Sequence, residues 1–95
     1  NCYALQLCRN MFFTYILKSL KDAKLYIGST SNLRQRLKKH NSGLVVSTKS
    51  RRPLKYVYFE GYASEEDARH REHNLKLRAK ALRQLLIRIK NSIAS

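Results

Sequence analysis

Five residues, Ser-Leu-Lys-Asp-Ala at 19–23, separate two runs rich in aromatic and β-branched side chains. The first run is Phe12 to Lys18 and the second Lys24 to Ser29. Both compositions favour strands. A parallel crossover takes a dozen or more residues, so a connection this short makes the two an antiparallel hairpin. A lone hairpin is marginal in water, and the remaining chain must widen the sheet and cover it.

The rest reads accordingly. Ser31 or Asn32 offers a helix N-cap, Leu33 to His40 follows, and Asn41-Ser-Gly43 is a stop. Only Leu33 and Leu37 are apolar there, so a narrow stripe packs and the remainder is basic. Residues 44–53 read as a loop ending at Pro53, and Leu54 to Phe59 as a third strand. Ser64-Glu-Glu-Asp67 has the form of a capping box, with a helix running to about Leu77. Leu82, Leu85, Leu86, Ile89 and Ile93 recur at helical spacing and mark an amphipathic terminal helix. The expected class is α/β (α+β): a small, mostly antiparallel three-stranded sheet flanked by helices, in the order β-β-α-β-α-α.

Ninety-five residues suffice for one small domain, expected over 11–95. Residues 1–10 precede Met11, the only methionine, and read as an N-terminal extension without signal-peptide features. Cys2 and Cys8 have neither zinc spacing nor a disulfide framework and are expected to be thiols in a reducing compartment, the cytoplasm. No run approaches the roughly 20 apolar residues of a spanning helix, so no membrane partner is expected.

Charge narrows the function. Twenty Lys and Arg against six Asp and Glu give a formal +14, and such self-repulsion commonly serves attraction to a polyanion, nucleic acid first. Of the six acids, Asp22 belongs to the hairpin turn, Glu60 ends a strand, and Glu65, Glu66 and Asp67 suit a helix's first turn. Glu72 stands apart among Arg69, His70, Arg71, His73 and Lys76, on the edge of an apolar stripe leaning toward the sheet. It is either a surface pair with Lys76 or a ligand for a magnesium ion that keeps several waters. Arg36 and His40, four apart, project from one helix face: a fork for phosphate and a hydrogen-bond donor or proton carrier, or else a solvated basic face. Tyr15 and Tyr26 are each central to a hairpin strand, where core packing is the ordinary role.

Taken together, Phe13-Thr-Tyr15, Tyr26-Ile-Gly28, Ser31-Asn-Leu-Arg-Gln-Arg36-Leu-Lys-Lys-His40-Asn41 and Glu72 within Arg69-His-Arg-Glu-His-Asn-Leu-Lys76 resemble the GIY-YIG nuclease family, more narrowly its short single-domain bacterial branch. The resemblance spans about residues 12–93 and departs in the first motif, which reads Phe-Thr-Tyr in place of Gly-Ile-Tyr.

The resemblance implies a metal-dependent DNA endonuclease. It makes Tyr15 the general base and Tyr26 its hydrogen-bonding partner. Gly28 admits close backbone approach, Arg36 binds the scissile phosphate, and His40 assists. Glu72 is the ligand of one Mg2+ (or Mn2+). Arg34, Lys38, Lys39 and Lys76 would hold the substrate backbone, duplex or branched DNA, and a monomer is expected. The alternative of another class is a catalytically silent basic nucleic-acid-binding domain of the same fold; a third is an accessory protein whose terminal helix is a contact surface.

Overall fold

The computed structural model describes residues 11–95. The expectations for Cys2, Cys8 and the N-terminal extension lie outside the described residues. Strand β1 (Phe12–Ser19) is central, with β2 (Leu25–Thr30) on one side and β3 (Leu54–Tyr62) on the other, both antiparallel to it. Phe13 through Leu17 are all buried, as befits a strand covered on both faces, which reads as a continuous apolar run.

The turn is built from its own side chains. Ser19 Oγ accepts from the amides of Lys21 and Asp22, and Asp22 Oδ1 accepts from the Lys24 amide at 2.9 Å. Ala23 takes the left-handed conformation (φ 61°) that closes it.

Register sorts the side chains onto two faces. Tyr15 sits opposite Gly28 and Leu17 opposite both Tyr26 and Tyr56, so these five share a face. Helix α1 (Leu33–Asn41) covers it, laying Leu33 and Leu37 against Tyr15, Leu17 and Leu54. Asn32 caps α1, its side chain accepting from the Gln35 amide, and Gly43 (φ 83°) follows its end. Asn41 then clamps α1 to β3, donating to the Leu54 carbonyl and accepting from the Leu54 amide at 2.8 Å.

The opposite face, carrying Ile16 and Ile27, is covered by α2 (Glu65–Leu77) and α3 (Ala79–Arg88), which bury Leu75 and Leu85 against it. Each such leucine contributes about 1.5–3 kcal/mol by leaving water. Thr14 fixes the first turns of α2 by donating to the Ala68 carbonyl at 2.6 Å.

Four local expectations are corrected. Strand β3 runs to Tyr62, not Phe59, so Glu60 lies within it. The stretch read as a loop contains a 3-10 turn, Val46–Arg51. Ser64 stands at the N-cap of α2, but its side chain makes no capping bond. The terminal helix is two: extended backbone at Arg78 separates α2 from α3, and Ile89 breaks α3 from the short α4 (Lys90–Ala94). No helix among the described residues is long and apolar enough to cross a membrane.

Candidate functional site

Gly28 sets the geometry of the α1 face. A Cβ built there would lie 2.6 Å from Tyr15 Cζ, closer still to its hydroxyl, and 3.1 Å from Tyr26 Cε1. The absent side chain is therefore where the Tyr15 phenol lies. The Tyr15 and Tyr26 rings stand 6.4 Å apart between centroids, and Tyr56 meets Tyr15 edge-on at 5.4 Å.

Arg36 and His40, one turn apart on α1, both reach the Tyr15 hydroxyl. Arg36 Nε donates to it at 3.2 Å, and His40 Nε2 lies 3.0 Å from it. The other imidazole nitrogen, Nδ1, contacts the Thr48 hydroxyl at 2.7 Å. Tyr15, His40 and Thr48 are each 0% exposed. Burial pushes the Tyr15 phenol above its ordinary range, and the Arg36 hydrogen bond and charge pull against that. Burial first, then the Arg36 charge, lowers His40 to about 4, so its ring is neutral near pH 7. Arg36 holds its proton more firmly than usual, chiefly through its bond to Tyr15, with Tyr26 contributing.

The two phenols differ in exposure. Tyr15 is sealed, whereas Tyr26 is partly open. Of the pair, the phenol that the resemblance makes the general base is thus the one closed to solvent.

Glu72 belongs to α2, the helix on the opposite face, and reaches the β2 edge. Its Oε1 accepts from Ser29 Oγ at 2.8 Å and its Oε2 from Lys76 Nζ at 2.8 Å. Lys76 Nζ also stands 5.9 Å from the Tyr26 ring centroid, so one ammonium neighbours both the acid and that ring. The Glu72 charge is near enough to raise the Tyr15 phenol slightly. Glu72 thus leans on the sheet edge and pairs with Lys76. Among the described residues no three His, Cys, Asp or Glu side chains gather as a metal site.

Arg34, Lys38 and Lys39 are exposed on α1, and none enters an ion pair among the described residues. They extend a positive surface from Arg36. The 3-10 turn Val46–Arg51 adds exposed Lys49, whereas its Arg51 is half-buried and paired with Asp22.

Thr48 and Ser29 escaped the sequence reading. Thr48 lies in a stretch with no periodicity, and nothing local marks it as a partner for His40. A second polar centre was also missed: Glu60 accepts from the hydroxyls of Tyr58 and Tyr62 and from Arg71 Nε at 2.7 Å. Tyrosines two residues either side of an acid share its strand face, a legible signal had β3 been extended to Tyr62.

Comparison with known proteins agrees with this architecture. Residues 11–85 match the GIY-YIG catalytic domain. A UPF0213 protein of Clostridium perfringens is 45% identical over 67 residues, covering 70% of this chain and 71% of its own length. One from Pediococcus pentosaceus is 38% identical over 73 residues, covering 76% of each. The solution NMR structure of a UPF0213 protein from Bacillus halodurans superposes with a TM-score of 0.51 at 31% identity, over 84% of this chain and 85% of that one. The chain belongs to the GIY-YIG family, with a nuclease-type catalytic domain of the UPF0213 group.

Proposed function

We propose that this protein is a metal-dependent DNA endonuclease that hydrolyses phosphodiesters at the β2 edge, between the α1 face and Glu72. The observation that carries the reading is the junction of a guanidinium, two phenols and a neutral imidazole at one glycine-made gap, in a chain of net charge +14.

Arg36 is the phosphate ligand. Its Nε is engaged by Tyr15, which leaves the terminal nitrogens of a partly exposed guanidinium for an anion. As water attacks, negative charge grows on the phosphoryl oxygens, and a preorganised cation stabilises that state more than the ground state. Tyr26 is the phenol placed to meet the water, because Tyr15 is sealed beneath Arg36. Its oxygen takes the water's proton as its own hydroxyl hydrogen passes to solvent, while the water oxygen attacks phosphorus and the 3′ oxygen departs, taking a proton from solvent. Tyr15 and His40 hold Arg36 from within.

The donor set suits one hard cation. Glu72 offers a partly exposed carboxylate whose second oxygen is engaged, among the described residues, only by Lys76, and Mg2+ commonly combines one or two carboxylates with waters and substrate phosphate. Held by Glu72, Mg2+ (or Mn2+) would supply Lewis-acid polarisation of the phosphate and stabilise the leaving oxygen. Lys76 would then turn to the DNA backbone, with Arg34, Lys38 and Lys39.

Arg36→Ala separates catalysis from binding. At saturating DNA its turnover should fall on the order of 10²–10³-fold, the scale of a lost preorganised donor. Weaker affinity with unchanged saturated turnover would instead favour the catalytically silent binding domain.

A further inference from the structure

The hydrogen bonds around Tyr15 have one consistent direction. Arg36 Nε–H can only donate, so the Tyr15 oxygen is its acceptor. Tyr15 is sealed from solvent, and among the described residues the only acceptor in its side-chain hydrogen bonds is His40 Nε2. If Nε2 carried the proton, the Tyr15 oxygen would face two donors and its own hydrogen would have no partner. That is an expensive arrangement in a buried place. If Nε2 is bare, the hydrogen sits on Nδ1 and points at Thr48 Oγ1, 2.7 Å away. The Thr48 hydroxyl is then free to turn to the Val45 carbonyl at 3.4 Å, the acceptor its own amide already uses at 3.1 Å. Every donor finds an acceptor along the series Arg36, Tyr15, His40, Thr48, Val45. His40 is neutral near pH 7, so the choice between its two tautomers is open to such control.

We propose that Thr48, on the 3-10 turn between α1 and β3, is a positioning residue for the hydrolysis. By accepting the Nδ1 proton of His40 it leaves Nε2 to accept from Tyr15, and Tyr15 thereby presents its oxygen to Arg36. The proposal rests on the role given to Arg36 above. It places the aim of the phosphate ligand under the control of a turn that touches neither phosphate nor water. Orientation of an imidazole by the group on its far nitrogen is a general device. Here it acts through a phenol onto a guanidinium.

Three proteins test it: the wild type, Thr48→Val, which keeps the shape and loses the hydroxyl, and Thr48→Ser, which keeps the hydroxyl. Nitrogen-15 NMR of labelled histidine reads the tautomer without any substrate. The wild type and Thr48→Ser should hold His40 protonated at Nδ1, whereas Thr48→Val should shift it toward Nε2. Turnover at saturating DNA should fall roughly tenfold in Thr48→Val, the scale of one lost hydrogen bond. KM should be unchanged and Thr48→Ser should restore the rate. Should Thr48→Val unfold, Thr48→Ser and the wild type still decide through their tautomer. An Nε2-protonated His40 in the wild type, or equal tautomers and rates in Thr48→Val and Thr48→Ser, would overturn the proposal. If the wild type cut no DNA, the Arg36 reading would fall while the tautomer measurement still stood.

Discussion

Adding one methyl group at Gly28 should disturb this protein more than its size suggests. In a strand interior, glycine is ordinarily worse than alanine by about 0.5–1 kcal/mol, so Gly28→Ala would on propensity alone be a gain. The geometry reverses the sign. The new Cβ would stand 2.6 Å from Tyr15 Cζ, far inside van der Waals contact, and Tyr15 has little room to yield. Its ring is 0% exposed, is met edge-on by Tyr56, and is tied at the hydroxyl to Arg36 and His40. Overpacking a rigid site costs about 1–3 kcal/mol, and the absence of a flexible neighbour points to the upper half. At about 4–8 °C per kcal/mol for a domain of this size, the melting temperature should drop by roughly 10–20 °C. Circular dichroism melts of the wild type, Gly28→Ala and Gly61→Ala measure it. Gly61 is the control, since a Cβ there would meet the flexible end of Met11 and the Phe13 ring at 3.2 Å, and its melt should move much less. A Gly28→Ala protein that melts with the wild type would refute the claim that the Tyr15 phenol occupies this gap.

Two further outcomes concern the buried polar groups. Burial pushes Glu60 upward, but the Tyr58 and Tyr62 hydroxyls and Arg71 overcome it and hold the carboxyl below its ordinary range. Glu60→Ala should therefore lose about 1–3 kcal/mol in urea unfolding at pH 7 while leaving DNA turnover alone. That deficit should shrink as acid protonates the carboxylate, and an equal deficit at pH 7 and pH 3 would remove the ionic part of this account. His40 has its folded value lowered to about 4 from an ordinary 6.5, so the unfolded chain binds the proton more readily between them. The stability that depends on a neutral His40 should be present above about pH 6.5 and decline as pH falls toward 4. His40→Gln should flatten that stretch of the urea midpoint against pH, and an unchanged slope would show that other groups set it.

The hairpin, the α1 stripe and the order of elements were legible because each rests on local pattern: strand composition, a short turn, two leucines four residues apart. Whether Tyr15 and Tyr26 share a face was not legible, because a slip of one residue in register moves every side chain across the sheet. Pairing Tyr15 with Gly28 decides it. The acid on α2 was picked out by elimination among six carboxylates, yet its contact with Ser29 spans 43 positions and leaves no mark on either segment. Thr48 is a similar case, held against His40 by the path of an aperiodic turn. The division of the terminal helix was hidden because the apolar period from Leu82 to Ile93 runs straight through Ile89, where the backbone bends without glycine or proline.

The central claim is that an acid from one side of the sheet and a guanidinium from the other serve a single hydrolytic event. Nicking of supercoiled plasmid by purified protein in Mg2+ tests it most directly, run beside Glu72→Ala and with salt-dependent DNA binding measured on both. Wild type that nicks only with the metal, and a variant that binds with nearly the same salt dependence but does not nick, is the predicted pair. Equal nicking by Glu72→Ala would contradict the account, since the carboxylate on Ser29 would then be an ordinary surface pair.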